Sequence, residues 1–137
     1  MLDELGLTQH FHGVAQKPGK PFGYWSNESC GVFALPGNPL SVLVGLHRYV
    51  LPALFQAMGA SDTTLPKVTL KTDAPAHPKL TLFLPISIEE AGTASPRPAN
   101  NSGDFVSILA TDGFIELPSN KTGKAAAGTL AYFIKWH

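Results

Sequence analysis

A tight turn with the sequence Pro-Gly-Asn-Pro, at residues 36–39, constrains the fold of this chain more than any other feature. The apolar run before it, residues 31–35, predicts a strand buried on both faces. Asn38 is a favoured helix N-cap, and Pro39 suits the first helical position because its missing N–H needs no partner there. The turn therefore predicts a strand followed directly by a helix.

The predicted helix is long and contains a proline. Apolar residues recur at helical spacing as far as Met58, and Gly59 follows as a residue suited to end a helix. Pro52 lies inside this stretch, so we expect it to kink the helix or divide it in two. The uninterrupted apolar stretches are shorter than the roughly 20 residues that span a bilayer, so we expect no membrane segment.

Alternation with a period of two predicts that the rest of the chain is all-β. Apolar residues alternate with others over residues 80–88, and further strands are predicted over 67–71, 114–117 and 129–136. Pro85 indicates an edge strand or a bulge, since proline cannot donate to a central ladder. Several short strands in one small region favour a barrel or a sandwich.

The distribution of charge separates these two parts. Few of the charged residues lie in the first 60 positions, where short strands are also predicted over 11–15 and 22–25. Residues 61–66 are small and polar and close with a proline, which is typical of a joint. We therefore predict an α/β part at residues 1–61 and an all-β part at residues 62–137.

The composition excludes several classes of protein. Lys and Arg together number 10, as do Asp and Glu, so a broad electrostatic surface for nucleic acid or anionic lipid is excluded. The single cysteine, Cys30, excludes an internal disulfide framework and a cysteine-based zinc site. The N-terminal residues carry no signal-peptide pattern, so we expect a cytoplasmic protein.

A stiff loop with two lysines, residues 17–21, carries the first chemical signal. Prolines flank Gly19, which allows close backbone approach, and Lys17 and Lys20 could converge on one anion. The alternative is a solvated turn with two surface lysines. The Pro-Gly-Asn-Pro turn carries the second signal, because a helix N-terminus offers free N–H groups and a partial positive charge. Here the alternative is a well-capped helix and nothing more.

Together the two motifs predict one oxyanion-binding site. Its predicted members are residues of the lysine loop, of the turn and of the first helical turn: Lys17, Gly19, Lys20, Pro36, Gly37, Asn38, Pro39 and Ser41. A third polar loop, residues 102–107, is either a second oxyanion- or sugar-binding loop or simply a turn. No catalytic residue can be assigned.

Other conspicuous residues have simpler interpretations. His10 and His12 alternate like a metal-binding pair, but no third ligand is near in sequence, so we predict no metal site. His47 is predicted to lie at the surface, and Cys30 to be a packing residue or an inert thiol. The aromatic residues predicted to belong to the core are Trp25, Phe114, Phe133 and Trp136.

The motifs in combination resemble the molybdopterin molybdenumtransferases, the MoeA family, which includes the gephyrin E domain. The resemblance rests on residues 13–21 and 32–41, with a C-terminal contribution from 102–107, 112–118 and 127–129. It implies that the chain corresponds to the last third of a family member. Residues 1–61 would be the second half of a MogA-like three-layer α/β domain, and residues 62–137 a small C-terminal β-barrel-like domain.

The resemblance also implies an activity for the parent protein. Family members insert molybdate into adenylated molybdopterin and release AMP, with Mg²⁺ as the usual cofactor. By position, Lys17 and Lys20 match lysines that bind molybdate or phosphate, and Ser41 and Ser107 match serines that face the same cleft. The implied partners are small molecules and a second copy of the parent protein, and neither nucleic acid nor a membrane is expected.

Two departures from the family pattern limit this expectation. Proline stands at position 85, where many members carry an arginine in the ligand cleft, and Arg97 is the nearest substitute. The upstream segment that carries the glycine-rich loop and the acidic metal ligands is not in this sequence. We therefore expect the isolated chain to be inactive. The alternative function is a non-catalytic binding or scaffold module that retains the fold.

Overall fold

A computed structural model describes residues 1–61, 64–97 and 104–136. The first part of the chain contains a three-stranded antiparallel sheet and a long helical segment. The sheet has the order β1-β3-β4, formed by Thr8–His12, Gly23–Ser26 and Gly31–Ala34. The strand predicted at residues 11–15 thus begins three residues earlier, whereas the predictions at 22–25 and 31–35 are confirmed within a residue or two.

The long helix begins where its sequence predicts, and its hydrogen-bond pattern changes near Pro52 without a break. It comprises α1 at Pro39–Gly45, a π-helical turn at Leu46–Val50 and α2 at Leu51–Ala57. Asn38 caps the helix, since its side chain accepts a hydrogen bond from the Ser41 N–H at 3.3 Å. The wider π-turn lies directly before Pro52, where an α-helix would press the proline ring against the preceding turn.

Together, α1, the π-helical turn and α2 form one helix that is longer than the apolar stretches in the sequence suggested. It spans 19 residues at a mean hydropathy of 1.3, so by length and composition alone it is one helix that could cross a membrane. Polar residues such as Arg48 interrupt its apolar stretches, and the expectation of no membrane segment stays a prediction. Core helices of soluble proteins meet the same criteria, and α1 packs its buried Val44 against the barrel described next.

Five strands of the second part close into a barrel. They are β5 at Lys67–Leu70, β7 at Thr81–Ile88, β8 at Thr93–Pro96, β9 at Gly113–Leu117 and β11 at Leu130–Lys135. Their order is β7-β8-β5-β11-β9, and β9 pairs back to β7. Two shorter strands, β6 at Ala74–Pro75 and β10 at Lys124–Ala125, pair beside it. The barrel prediction is confirmed.

Two apolar clusters explain the strand pattern. One draws buried side chains from all five strands and fills the barrel, including Leu84, Ile115 and Phe133. The other lies outside the barrel, where the Phe83 and Phe114 rings pack edge to face with centroids 5.6 Å apart and cluster with Val44 of the helix. Burying a side chain of this size contributes about 1.5–3 kcal/mol, so this contact holds the helix on the barrel.

One short strand joins the two predicted parts. Strand β2, Gln16–Lys17, pairs in parallel with Thr81 and Leu82 of β7. The first part therefore adds a strand to the sheet of the second. The predicted boundary falls beside residues 62–63, which lie outside the described residues, so the division at 61/62 stays a prediction.

The predicted burial of residues 31–35 is wrong. Strand β4 lies at the edge of its sheet, with Gly31 exposed and its other residues only partly buried. Phe33 packs on one face only, where its ring lies 4.7 Å from the Tyr24 ring. An apolar run this short does not reveal whether one face or two is covered.

The edge-strand or bulge prediction for Pro85 is also wrong. Strand β7 has neighbours on both sides, and Pro85 pairs with Phe114 of β9 without a bulge. The Pro85 carbonyl accepts a hydrogen bond from the Arg97 N–H at 2.8 Å. Because the carbonyl and the N–H of one strand residue point to the same side, the N–H that proline lacks would also face the side of Arg97. On that side β7 pairs with β2 at residues 81–82 and with β8 from residue 86, and proline is tolerated in the gap.

Candidate functional site

The backbone of the lysine loop lies beside the first turn of α1. Gly19 is buried at a φ of 93°. A Cβ atom on Gly19 would lie 2.8 Å from Gln16 Nε2 and 3.8 Å from the Ser41 carbonyl oxygen. The two motifs singled out in the sequence are therefore neighbours in the fold, which is the arrangement that an oxyanion site requires.

Backbone hydrogen bonds close the lysine loop on itself. The Val14 N–H donates to the Lys20 carbonyl at 2.8 Å, and the Phe22 N–H donates to the Gly19 carbonyl at 3.1 Å. The side chains of Lys17 and Lys20 are both exposed. Within the described ranges neither ammonium group takes part in an ion pair. Both charges are thus available to a ligand on a backbone with little freedom.

The residues of the turn before α1 and of its first helical turn differ in their exposure to solvent. Ser41 is buried, and its hydroxyl lies 3.5 Å from Asn38 Oδ1, which also receives the Ser41 N–H. Pro36 is half-buried, whereas Gly37 and Pro39 are exposed. The position of a Cβ on Gly37 is open, with no atom within 4 Å. A ligand can therefore approach the turn from the side of Gly37.

Ser107 lies in a short helix that sequence reasoning did not predict. Asp104 caps α3, Phe105–Leu109, by accepting the Ser107 N–H at 3.2 Å. Residues 102 and 103 of the predicted turn lie outside the described residues. Helix α3 is a neighbour of α1, and the Ser107 side chain is exposed. This places Ser107 on an element next to the turn, and its role stays a prediction.

Arg97 lies beside the position where the family pattern has an arginine. Its N–H donates to the Pro85 carbonyl at 2.8 Å, and its Nε donates to the Ser87 hydroxyl at 3.4 Å. The backbone of Arg97 therefore contacts Pro85, while its guanidinium group lies beside Ser87 on the same strand. Its substitution for the family arginine remains a prediction.

Gln16 and Tyr49 are site residues that sequence reasoning missed. Gln16 is 3% exposed, and its Oε1 accepts the Tyr49 hydroxyl at 2.5 Å. Its Nε2 donates to the Pro18 carbonyl at 3.1 Å. Burial raises the pKa of Tyr49, which keeps its hydroxyl a hydrogen-bond donor. No local signal marks Gln16, because its burial results from pairing with a strand some 65 residues later.

The histidines make contacts with aromatic side chains. His10 stacks on Tyr24 with ring centroids 5.1 Å apart, and its Nε2 lies 2.7 Å from the Ser26 hydroxyl. His12 packs against Trp25. Over residues 1–61, 64–97 and 104–136, no three His, Cys, Asp or Glu side chains lie close enough to hold a metal ion.

Two predictions about single side chains need correction. His47 is half-buried rather than on the surface, because its ring meets the edge of Trp136 with centroids 5.6 Å apart. Burial lowers the pKa of His47. Cys30 is exposed, which excludes the packing residue of the two predicted alternatives, and the inert thiol stays a prediction. Of the predicted core aromatics, Trp136 is only half-buried, whereas the other three are buried: Trp25, Phe114 and Phe133.

Comparison with known proteins identifies the family. The family model described as the MoeA C-terminal region, domain IV, matches residues 67–136, which is half of the chain. The chain belongs to the MoeA family. The resemblance noted in the sequence is confirmed.

Named relatives of this MoeA chain extend the match to its first part. A molybdopterin molybdenumtransferase of Synechocystis is 39% identical, over 97% of this chain and 33% of that protein. The molybdenum cofactor synthesis protein cinnamon of Drosophila melanogaster is 29% identical, over 93% of this chain and 22% of that protein. The chain thus spans a third or less of the length of these two relatives.

A solved structure agrees with the fold. The molybdopterin biosynthesis MoeA protein of Pyrococcus horikoshii OT3 superposes with a TM-score of 0.76 at 29% identity. The match covers 94% of this chain and 32% of that protein. The predicted fold class, an α/β part followed by a small barrel-like domain, is confirmed.

Proposed function

We propose that this chain supplies part of the oxyanion-binding site of a molybdopterin molybdenumtransferase, and that its parent protein acts in molybdenum cofactor biosynthesis. One observation carries the proposal. In a member of the MoeA family, a closed loop with two exposed lysines, which form no ion pair with any residue the structure describes, packs its Gly19 backbone beside the first turn of α1. The anions it would bind are molybdate and the phosphates of adenylated molybdopterin.

The chemistry of molybdate suits this group of donors. Molybdate is a compact dianion, and charge-assisted hydrogen bonds from ammonium groups are about twice as strong as neutral ones. In the reaction proposed for the parent protein, molybdate enters adenylated molybdopterin and AMP leaves. Lys17 and Lys20 would offset the repulsion between molybdate and the phosphates, and would stabilise negative charge that develops on the phosphate oxygens. The dithiolene sulfurs belong to the cofactor, so the protein needs charge and donors rather than cysteines.

The proposed cofactor of the parent protein is Mg²⁺, whose ligands are oxygen atoms, chiefly of carboxylates and waters. Among the residues that the structure describes, no acidic cluster fits such an ion, so we derive no step through magnesium. A homodimeric parent, a cytoplasmic location and the absence of nucleic-acid and membrane partners are likewise proposals.

Titration calorimetry with sodium molybdate tests the oxyanion site in this chain. Wild-type protein is compared with Lys17→Ala, Lys20→Ala and the double variant. Lys121→Ala is the matched control, because Lys121 is an exposed lysine in a different loop. We expect saturable binding that each loop substitution weakens and the control leaves unchanged. Equal affinities in all variants would refute the site.

A second candidate function is a binding or scaffold module without chemistry. The exposed apolar side chains of α2 and the residue after it favour this reading, with Leu54 at 50%, Phe55 at 52% and Met58 at 81% exposure. The discriminating assay is molybdate-dependent AMP release by the intact parent protein. Release that is lost on Lys20→Ala supports the transferase, whereas no release at all supports the module. The 137-residue chain alone is expected to be inactive in that assay.

A further inference from the structure

A buried hydrogen-bond bridge connects the lysine loop to the π-turn. Gln16, the residue before Lys17, uses both ends of its amide: Oε1 accepts from the Tyr49 hydroxyl, and Nε2 donates to the Pro18 carbonyl inside the loop. A buried amide that loses a partner pays the full cost of its desolvation. Loop conformations that move the Pro18 carbonyl away are therefore disfavoured.

Tyr49 also holds the other end of the loop. Its ring stacks on Phe22, the second residue after Lys20, with ring centroids 4.9 Å apart. Phe22 is 1% exposed, so this contact is part of a packed interior. One tyrosine thus contacts both residues that bracket the 17–21 loop, Gln16 by a hydrogen bond and Phe22 by ring stacking.

The barrel in turn fixes the π-turn that carries Tyr49. Arg48 Nε donates to Glu116 Oε2 of β9 at 2.7 Å, in a partly buried ion pair. Gly19 packs against the bridge from the loop side, and a side chain at this position would collide with Gln16 Nε2. The π-turn therefore contacts the loop through Tyr49 and the barrel through the neighbouring Arg48.

We propose that Tyr49 and Gln16 are positioning residues that set the spacing of the Lys17 and Lys20 ammonium groups for an oxyanion. The inference rests on the proposed function, since it assigns these residues to the same site. It adds a specific role: neither side chain contacts the ligand, and both act through the loop backbone. The ligand class is a compact tetrahedral oxyanion, for which molybdate is the probe.

Hydrogen exchange measured by NMR tests the positioning without any ligand. The reporters are the Val14 and Phe22 amides, whose hydrogen bonds close the loop. In Tyr49→Phe we expect these amides to exchange about ten-fold faster, the factor that corresponds to the loss of one buried hydrogen bond. Gln16→Met removes both hydrogen bonds of the bridge, so exchange there should be at least as fast. The amides of β9 should exchange at the wild-type rate. Tyr49→Phe, which removes one hydroxyl, carries the test if Gln16→Met does not fold.

Two kinds of control separate positioning from general stability. Tyr132→Phe and Gln9→Met make the same substitutions at exposed sites away from the bridge. Ile115→Val removes a methyl group inside the barrel and lowers the thermal midpoint. All three should leave the loop exchange and the molybdate affinity at their wild-type values.

Molybdate affinity supplies the functional readout. We expect Tyr49→Phe and Gln16→Met to weaken molybdate binding several-fold, and the double variant to add little, because both act through one bridge. Unchanged loop exchange in both variants would overturn the inference whatever the affinities are. Faster loop exchange with unchanged affinity would overturn it as well. If wild-type protein binds no molybdate, the proposed function fails, and the exchange data show separately that the bridge holds the loop.

Discussion

Replacing Gly19 with alanine tests the geometry of the lysine loop at its tightest point. The φ of 93° is a region that L-residues rarely adopt, and holding a residue in such a region costs about 1–3 kcal/mol. The new Cβ would also lie 2.8 Å from Gln16 Nε2, which is closer than real Cβ contacts. Displacing Gln16 breaks its bond to the Pro18 carbonyl, at about 1 kcal/mol.

The two contributions predict a loss of about 2–4 kcal/mol in the free energy of unfolding. Urea denaturation followed by circular dichroism would record it as a midpoint lower by about 1–2 M at an unchanged slope. Gly37→Ala is the matched control in the same site, because Gly37 has no positive φ and its Cβ would meet no atom within 4 Å. That variant should stay within about 0.5 kcal/mol of wild type. Equal midpoints for the two variants would refute the described loop packing.

Three further predictions concern the barrel and the helix that packs on it. Gly113→Ala would place a Cβ 2.2 Å from the Ile134 carbonyl oxygen, so thermal denaturation should show a loss of about 3 kcal/mol, and a neutral outcome would contradict this barrel register. Glu116→Gln removes the charge that pairs with Arg48 but keeps an acceptor oxygen, and since both side chains are partly exposed the loss in urea should be at most about 1 kcal/mol. Because burial lowers the His47 pKa below its ordinary 6.5, the unfolded state binds the proton first, and stability should fall as the pH drops from 6.5 through the folded-state pKa. His47→Gln should flatten that part of the stability profile, and an unchanged slope would contradict the burial of the ring.

Features set by neighbouring residues could be predicted from the sequence. The cap at Asn38 and the irregular π-helical turn before Pro52 depend on contacts within one or two turns. The period-two pattern of β7 predicted a barrel or sandwich strand, because in a closed barrel every strand turns alternate residues inward. The paired lysines and the Pro-Gly-Asn-Pro turn were sufficient to indicate the family.

Features set by distant partners could not be predicted. Gln16 is buried because β2 pairs with a strand far along the chain, and Pro85 is tolerated because that pairing ends just before it. His47 is covered only because the last residues of the chain bring Trp136 against it. Each of these outcomes depends on which elements meet in the fold, and hydrophobic periodicity carries no such information.

The contact between the two motifs is the part of the site that most needed the structure. The sequence places Lys20 and Ser41 in separate loops, and only the fold brings Gly19 next to the Ser41 carbonyl. The residues that enforce this contact, Gln16 and Tyr49, carry no motif of their own. A site can thus be indicated by its charged residues while the residues that shape it go unnoticed.

The location of a bound tungstate ion in crystals of this chain tests the central claim most directly. Tungstate has the shape and charge of molybdate, and its anomalous scattering marks its position without ambiguity. The account predicts a tungsten peak between the Lys17 and Lys20 ammonium groups, beside the Gly37 turn, and its loss in Lys20→Ala. A peak elsewhere that persists in Lys20→Ala, or no peak at saturating tungstate, would contradict it.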